Sequence, residues 1–401
     1  MTLERAAPPR GTRPRNRRAL IIAAATDLFQ DYGYDQVSMS DVAAAVNVAP
    51  SALYRHFAGK PQLFTAALVA EMTPIRELLD RSADAELIAV AEQLATAALD
   101  HSRLGRLWQR EARSLPRDDY AQLRREVTAS VTMLADLVAV RRPELSRADT
   151  RMLAVATYSA LCSVSYHPDE LPRGQYEQLL SEVILLILQT GPAPSAPSAP
   201  SAPSAEREPA GLLPVARRER LLRAATTLFA ERGYSAVSME EIGAVAGIAG
   251  GSVYYHFDSK QQLLAAALTR GDEWLRYDMY RALRGVTDPG EGLRRLLRSY
   301  IEFAMDHSTS LDLLVSEATH LADEVRSLIK QTQRDYLGEW IQLIRSGYPA
   351  MSEAEAKVRV HAVLTIVNDA ARTPWLRSRP GVLATLNEVG NAMLQPPPRR
   401  S

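Results

Sequence analysis

The chain has 401 residues, of which 46% are hydrophobic and 23% are charged, and its formal net charge is zero. That length is too great for one compact core, and the balanced charge gives no global sign of nucleic-acid binding, so any such signal must be local. The single cysteine, Cys162, excludes an intramolecular disulfide framework and a cysteine-rich zinc site. Because the sequence shows neither a secretory signal nor an apolar run long enough to span a bilayer, we expect a cytoplasmic protein without a membrane anchor.

The chain begins with an arginine-rich stretch in which the only acid is Glu4. Its arginines are Arg5, Arg10, Arg13, Arg15, Arg17 and Arg18. Such a stretch is as typical of a solvated tail as of an arm that lies along DNA phosphates or in a minor groove. The sequence alone leaves both interpretations open.

The next elements predict a helix-turn-helix. Apolar residues at helical spacing indicate a first helix that stops at Gly33, where a left-handed glycine would end it. Ser38 and Asp41 form an S-x-x-D capping signal for a short second helix. Asn47 suits the left-handed residue of a tight turn, and a third helix is expected over about 50–57.

A proline-rich repeat divides the chain. Residues 193–205 read APSAPSAPSAPSA, and a repeat of this composition cannot build a core. We assign a semi-stiff linker to about 191–213, with one module on either side of it. In a polyproline-like conformation this linker spans roughly 70 Å. That reach exceeds the separation of successive major-groove sites, about 34–36 Å, so the modules can pair with each other.

The second module repeats the first. Shifting the numbering by 200 aligns 17–64 with 217–264 without a gap, and 20 of the 48 aligned positions are identical. An Asp-His-Ser triplet that starts at Asp100 returns at Asp306, now at a shift of 206. The duplication is therefore expected to extend over whole modules.

The repeated segment resembles a known family. Its pattern is G-Y-x-x-V-S-M-x-[DE]-[VI], then [NG]-[VI], then [LV]-Y-x-H-F-x-x-K-x-x-L. This pattern closely resembles the N-terminal domain of TetR-type transcriptional regulators over about 60 residues of each module. The resemblance implies a DNA-binding transcriptional regulator, a repressor that a small ligand releases from DNA.

The predicted fold class is all-α, because apolar residues recur at helical spacing in both modules and no convincing run of strands occurs. The resemblance implies that each module is a three-helix helix-turn-helix DNA-binding domain followed by a helical bundle for ligand binding and dimerisation. The predicted domains are a first DNA-binding domain at 14–74 with its helix-turn-helix at about 37–56, a regulatory domain at 75–190, the linker at 191–213, a second DNA-binding domain at 214–274 with its helix-turn-helix at about 237–256, and a second regulatory domain at 275–395.

The resemblance implies that the third helix of each head enters the major groove and that a tyrosine, a histidine and a lysine touch DNA phosphates. These side chains are Tyr54, His56 and Lys60 in the first head and Tyr254, His256 and Lys260 in the second. Tyrosine and histidine can each donate to phosphate, and a lysine at a helix start lies where an anion is already favoured. A Tyr-x-His-Phe cluster alone is more often a packed helix face, and its repetition in register favours DNA binding. Ser38 and Ser238 are either simple helix caps or caps that also meet phosphate.

Base reading is assigned to positions early on the third helix. In the first head this region includes Ser51 and Arg55, and only Arg55 has the bidentate fork that reads guanine. In the second head the region includes Ser252 and Tyr255. The two heads are therefore expected to prefer different half-sites.

The resemblance assigns the later helices to a ligand pocket and a pairing face. Pairing would use helices near 147–167 with 175–189 and 354–371 with 380–394, whose small and apolar residues suit close packing. Pairing within one chain would form an intramolecular pseudo-dimer, and a homodimer of chains is the competing arrangement. The candidate ligand contacts, each otherwise an ordinary core residue, are Trp108, Tyr158, Cys162 and Tyr166 in the first module and Trp274, Tyr300, Phe303 and Trp340 in the second. Their apolar character predicts a small hydrophobic effector.

Enzymatic and metal-binding functions find no support in the motifs. The seven histidines form no HExxH pair, and no glycine-rich phosphate loop occurs. The consecutive residues of the Asp-His-Ser triplet would point in different directions on a helix, so they cannot form a catalytic triad. We expect a regulator without enzymatic activity, cofactor or metal, with double-stranded operator DNA as its partner. The alternative is a helical sensor or scaffold that has lost sequence-specific DNA binding.

Overall fold

The computed structural model describes residues 16–167, 170–191, 214–316 and 320–395. Within these ranges the regular structure is helical and contains no strand, which confirms the all-α prediction. The predicted linker lies outside the described residues except for Gly191, and so does the arginine-rich stretch up to residue 15. Among the described helices, none combines the length and the apolar character that a membrane crossing requires.

The first module consists of a head formed by its first helices and a bundle formed by the later ones. The helices are α1 (Arg17–Tyr32), α2 (Met39–Ala45), α3 (Pro50–Leu53), α4 (Lys60–Arg81), α5 (Leu87–Asp100), α6 (Leu104–Gln109), a 3-10 helix (Glu111–Ser114), α7 (Arg117–Arg141), α8 (Arg147–Ser163), a second 3-10 helix (Val164–Tyr166) and α9 (Arg173–Gln189).

The second module repeats this order and adds one short helix near its end. The helices are α10 (Arg217–Arg232), α11 (Met239–Ala246), α12 (Gly250–Val253), α13 (Lys260–Leu283), α14 (Pro289–Asp306), α15 (Ser308–Ser316), α16 (Asp323–Gly347), α17 (Glu353–Arg372), α18 (Pro374–Arg377) and α19 (Val382–Leu394).

The turn of each head has the backbone conformation that the sequence predicts. Asn47 has a φ of 55° and the equivalent Gly247 has a φ of 66°, so both lie in the left-handed region that asparagine and glycine tolerate best. The second helix of each head begins with a complete capping box, formed by Ser38 in one head and Ser238 in the other. The capping boxes and the left-handed turn residues together fix the angle at which the third helix leaves the turn.

Two details of the heads differ from the predicted elements. The third helix ends at Leu53, because the Leu53 carbonyl accepts hydrogen bonds from the N–H groups of both His56 and Phe57 and the chain tightens into a turn. That turn directs Phe57 into the core, where it is 1% exposed. Gly33 has the positive φ that favours glycine, 84°, but its ψ of 159° lies outside the left-handed helical region.

The apolar cores follow the module boundary only in part. The buried residues of the second head form their own cluster with Leu313 and Leu314 of α15 and Ile329 of α16. The first head, its bundle and the bundle of the second module share one cluster. The two bundles therefore have a continuous apolar core.

The bundles meet where α8 packs against α17 and α9 packs against α19. Polar contacts cross the same boundary. Asp369 of α17 accepts hydrogen bonds from Ser159 Oγ at 2.7 Å and from Gln109 Nε2 at 2.8 Å. Lys357 of α17 forms an ion pair with Glu170. These contacts place the last long helices of the two modules side by side.

Candidate nucleic-acid interface

The third helix of the first head and the turn after it carry polar side chains on the surface. Ser51, Arg55 and His56 are exposed, and Tyr54 has 57% of its surface exposed. Phe57, by contrast, is buried in the core of the head. A phenol, a guanidinium and an imidazole are therefore available together to a partner that lies against this face.

The second head presents a related but different surface. Tyr254 is 48% exposed and Tyr255 is 89% exposed, while Ser252 and His256 are partly exposed. The Tyr255 ring stands edge-on to the His256 ring, with their centroids 5.4 Å apart. This head offers two phenols where the first offers a phenol and a guanidinium.

The lysines of the motif lie within the framework of each head. Lys60 Nζ donates to the carbonyl of Tyr34 at 2.8 Å, and Lys260 Nζ donates to the carbonyls of Tyr234 at 2.9 Å and Val237 at 2.8 Å. Each ammonium also lies over a tyrosine ring, 4.3 Å from the centroid of Tyr34 and 4.2 Å from that of Tyr234. Burial lowers the pKa of both lysines. Each lysine thus links the start of its helix, α4 or α13, to the loop after α1 or α10. Its contact with a DNA phosphate stays a prediction.

Ser38 and Ser238 cap their helices. The backbone N–H of Asp41 donates to Ser38 Oγ at 3.2 Å, and Ser38 Oγ donates to Asp41 Oδ2 at 2.6 Å. That hydrogen bond from Ser38 lowers the pKa of Asp41. In the second head the backbone N–H of Glu241 donates to Ser238 Oγ at 3.2 Å. Since a hydroxyl has one proton, Ser38 has none left to donate to a phosphate in this arrangement.

A pair of exposed arginines borders the same faces. The guanidinium carbon of Arg18 lies 5.0 Å from the centroid of the Phe57 ring, and that of Arg218 lies 4.8 Å from the Phe257 centroid. Sequence reasoning assigned Arg18 to the tail and left Arg218 out of the site. Their equivalence at a shift of 200 was the signal that could have identified them. Both place positive charge beside the phenylalanine that follows the exposed tyrosine and the histidine of their head.

A cavity of about 230 Å³ lies in the bundle of the second module, at its boundary with the first. Half of the lining residues are leucine or tyrosine, among them Leu311, Leu364 and Tyr300. Two of the lining residues, Gln109 and Tyr166, belong to the first module. The cavity is therefore shared between the modules.

The polar part of the cavity wall is built around Arg372. Its guanidinium pairs with Asp312, and its Nη1 lies 3.8 Å from Asp369 Oδ1. Although burial opposes the charge, these carboxylates raise the pKa of Arg372. Asp272, also in the wall, has its pKa raised by burial. The wall thus combines apolar surface with a small number of desolvated polar groups, as is typical of ligand pockets.

Comparison with known proteins identifies the family. Residues 21–67 and 221–267 each match the model described as bacterial regulatory proteins, tetR family, and residues 286–378 match a tetracyclin repressor-like C-terminal domain. The HTH-type transcriptional repressor KstR2 of Rhodococcus jostii (strain RHA1) is 30% identical over 188 residues, which are 44% of this chain and 87% of that protein. The chain belongs to the tetR family of bacterial regulatory proteins.

Other relatives of this tetR-family protein align over similar lengths. The HTH-type transcriptional activator FasR of Mycolicibacterium smegmatis (strain ATCC 700084 / mc(2)155) is 34% identical over 163 residues, 40% of this chain and 73% of FasR. A solved structure of the ketosteroid transcriptional regulator KstR2 of Mycobacterium tuberculosis is 26% identical and covers 44% of this chain and 91% of its own, with a TM-score of 0.36. The curated relatives regulate transcription, which confirms the prediction of a DNA-binding regulator rather than an enzyme.

Of the eight side chains predicted to line a ligand pocket, Tyr166 and Tyr300 line the cavity of this tetR-family protein. The other six do not; they are Trp108, Tyr158, Cys162, Trp274, Phe303 and Trp340. Trp340 is 0% exposed and packs edge-on to Tyr300, behind the cavity wall. Tyr158 and Cys162 are buried in α8, and Trp274 is 44% exposed at the surface. The prediction favoured large aromatic side chains, whereas the wall also includes polar residues of α17, among them Asn368, Asp369 and Arg372.

Proposed function

We propose that this tetR-family protein is a ligand-responsive repressor in which one chain supplies both heads to the two half-sites of an operator. The observation that carries the proposal is the packing of α8 on α17 and of α9 on α19 within one chain. A single-headed regulator of this type must pair with a second chain to read two half-sites. Here the second head is already part of the same polypeptide.

Charged contacts between the modules support pairing within the chain. Arg359 of α17 is 3% exposed, and its Nη2 lies 3.5 Å from Glu182 Oε2 of α9. Arg379, which follows α18, pairs with Asp149 of α8. Separation of the modules would break these contacts and expose the shared apolar core to water, and the loss of that core makes separation costly.

The exposed face of each head supports DNA as the partner. Both heads combine a capped helix-turn-helix with an exposed tyrosine, a histidine and a neighbouring arginine in the same register. Arg55 and the equivalent Tyr255 are exposed in the two heads. Because a guanidinium reads guanine in a way that a phenol cannot, the proposed operator has two unlike half-sites.

The shared cavity supports the ligand response. Its volume of about 230 Å³ suits a small and largely apolar effector, and the phenol of Tyr300 and the amide of Asn368, which share a hydrogen bond of 2.7 Å, could orient it. An occupant would touch helices of both modules, so it could alter the relation of the two heads. Such a change is the proposed means of release from DNA.

Two measurements on the full chain test the proposal. Light scattering should give the mass of one chain, 44.2 kDa, at micromolar concentration. Footprinting on the DNA upstream of the chain's own gene should show two protected half-sites with one chain bound per duplex. A solution mass of two chains would instead support the homodimer, and no binding at low salt by folded protein would support the scaffold alternative.

A multiple variant locates the binding face. Replacing Tyr54, His56, Tyr254 and His256 with alanine should abolish specific binding while leaving the helical content unchanged, because these side chains lie outside the cores. The control replaces Tyr277 and Tyr280 of α13, which are 66% and 65% exposed, with alanine. If the two variants bind the operator as tightly as the original chain, the proposed interface is wrong.

A further inference from the structure

The two modules differ where the effector cavity lies. At the shift of 206, Gly105 of α6 corresponds to Leu311 of α15, and Cys162 of α8 corresponds to Asn368 of α17. A Cβ at Gly105 would overlap the carbonyl oxygen of Cys162, so α6 lies directly against the backbone of α8. In the second module Leu311 and Asn368 instead line the cavity. Because Gly105 has no side chain, α6 packs directly against α8 in the first module. The matching region of the second module borders the cavity instead.

Gln109, the last residue of α6, connects this cavity to the first module. The side chain is 6% exposed. Its Nε2 donates to Asp369 Oδ2 at 2.8 Å, and its Oε1 accepts from the hydroxyl of Tyr166 at 2.9 Å. All three residues line the cavity. An occupant that displaces Asp369 or Tyr166 must therefore also disturb the end of α6, since both polar ends of the Gln109 amide are held by them.

The segment after α6 holds the first head. The backbone N–H of Tyr34 donates to Glu111 Oε2 at 2.7 Å. A Cβ on Gly33 would lie 3.2 Å from the same oxygen, so the carboxylate is in close contact with the loop after α1. Lys60 bonds the carbonyl of Tyr34 and so fixes this loop to the start of α4. Only Arg110 separates Gln109 from Glu111 in the sequence. The backbone between the cavity and the head can therefore absorb little of a movement of Gln109.

The second head is attached differently. The ring of Tyr234 stacks on His320 at a centroid distance of 4.9 Å, and Gln261 Nε2 donates to the His320 carbonyl at 2.9 Å. Leu314 of α15 lines the cavity and belongs to the apolar cluster of the second head. This head therefore contacts the cavity wall through a helix of its own module.

We propose that the cavity of the second module controls the first head across the module boundary. An occupant shifts Asp369 or Tyr166, Gln109 transmits the shift to α6, and Glu111 transmits it to the loop after α1. The inference rests on the proposed ligand response of this cavity and adds its direction: one cavity acts on both heads, directly on the second and through α6 on the first. Such coupling requires a contiguous set of contacts with two arrangements, and the contacts from Asp369 to Tyr34 are contiguous.

A substitution can stand in for the occupant. Leu364→Tyr gives the second module the side chain that the first has at the corresponding position, Tyr158, and fills part of the cavity. Backbone hydrogen exchange at Tyr34, followed by mass spectrometry of a peptide that spans it, reports the hydrogen bond to Glu111 in the full chain without DNA. Exchange at Tyr34 should become about fivefold faster or more in the variant, the lower end of typical allosteric coupling.

The coupling residue is then tested by a double-mutant cycle. In a Gln109→Ala background, Leu364→Tyr should leave exchange at Tyr34 unchanged, because the link across the module boundary is gone. The control is Gln333→Ala, which also changes the cavity wall but bonds the Leu314 carbonyl within the second module, at 3.2 Å. In that background the effect of Leu364→Tyr on Tyr34 should persist.

The outcomes separate this inference from the proposed function. No change at Tyr34 with the filled cavity, or an equal change with and without Gln109, would overturn the control across the boundary even if the chain binds its operator. Failure of the original chain to bind DNA would overturn the proposed function, while the exchange cycle still measures the coupling. Should Leu364→Tyr not fold, Leu364→Phe provides a smaller filler for the same cycle.

Discussion

The imidazole rings of His167 and His361 lie 4.8 Å apart, centroid to centroid, although one follows α8 of the first module and the other belongs to α17 of the second. The hydroxyl of Tyr176 is hydrogen-bonded to Nδ1 of His167. Lys357 and Glu170, which form an ion pair with each other, shift the pKa of His361 in opposite directions. Burial, reinforced by Lys357, lowers the pKa of His361 to about 4, and burial lowers the pKa of His167 well below its ordinary value.

The histidine pair predicts a loss of stability in acid. Both imidazoles bind protons less readily in the folded chain than in an unfolded one, so the free energy of unfolding decreases as the pH falls from about 6.5 towards 4. For His361 the loss between pH 7 and pH 5 should be on the order of 2 kcal/mol. Denaturant unfolding at the two pH values measures it.

The variant His361→Gln isolates the effect, because glutamine stays neutral throughout this range. Its stability should depend less on pH between 7 and 5 than that of the original chain. His101 offers a contrast, since its hydrogen bond to Glu71 raises its pKa and its contribution is lost as the pH rises. An unchanged pH dependence in His361→Gln would contradict the assignment to the inter-module pair.

Lys60→Met should destabilise the first head. The ammonium bonds the Tyr34 carbonyl at 2.8 Å and lies over the Tyr34 ring, so the substitution removes a charge-assisted hydrogen bond and a cation–π contact. A loss of about 1–3 kcal/mol is expected. Thermal unfolding measures it without DNA, and a variant of unchanged stability with weakened DNA binding would show that the lysine acts at phosphate instead.

Tyr54→Phe should have the opposite profile. The hydroxyl lies on a ring that is 57% exposed, so its removal should leave folding stability unchanged. Operator binding should weaken by about 0.5–1.5 kcal/mol, the usual net contribution of one hydrogen bond, and by the same amount for every operator sequence. A titration against duplexes of different sequence measures it, and a weakening confined to one sequence would indicate base reading by Tyr54 instead.

The charge of Arg18 provides the matched comparison for Tyr54. A neutral phenol displaces no counterion from DNA, so Tyr54→Phe should leave the slope of log affinity against log salt unchanged. Arg18→Ala should instead make that slope shallower by about 0.9, the value for one phosphate neutralised by a cation. A salt titration of operator binding gives both slopes, and an unaltered slope in Arg18→Ala would exclude this arginine from the phosphate backbone.

Exchanging the base-reading side chains should change half-site preference. Arg55→Tyr makes the first head resemble the second at this position, and Tyr255→Arg does the reverse. Each exchange should shift discrimination at the contacted base pair by about 1–3 kcal/mol, in one half-site only. Selection from a library of randomised duplexes, analysed separately for each half-site, provides the measurement. Equal shifts in both half-sites would contradict the assignment of one head to each.

Gly105→Ala should destabilise the first module. The added methyl group meets the Cys162 carbonyl and the Ser165 hydroxyl, so α6 has to move away from α8. Overpacking of this kind costs about 1–3 kcal/mol. Gly338→Ala is the control, because Gly338 is exposed in the middle of α16 with nothing near its Cβ position, and alanine there should stabilise the helix by about 0.5–1 kcal/mol.

The helices, caps and turns of the heads could be predicted from the sequence because their signals are local. Ser38 needs Asp41 three residues away, and Asn47 needs only its own backbone, so a short window contains the whole argument. The alignment of the two repeats then singled out Tyr54 as a candidate DNA contact, and its side chain is exposed in the structure. Local patterns of this kind also gave the all-α fold.

The contacts that the sequence did not reveal depend on distant partners. Lys60 donates to the carbonyl of Tyr34, which lies 26 positions earlier, so no local pattern around Lys60 could indicate this contact. The cavity depends on how far apart two helices lie, and that separation is set by Gly105 in one module and Leu311 in the other. Its wall also includes the charged residue Arg372, whereas the prediction from the sequence considered mainly aromatic side chains.

The presence of Arg55 and Tyr255 in one polypeptide has a consequence for inheritance. In a symmetric dimer one substitution in the gene alters both DNA-reading surfaces at once. Both halves of the operator must then change for binding to be retained. In this chain a substitution at Arg55 leaves the side chain at Tyr255 as it was. Under the proposed reading of two half-sites by one chain, recognition of the two halves of an operator can then diverge by single substitutions, and every molecule in the cell carries the same unequal pair.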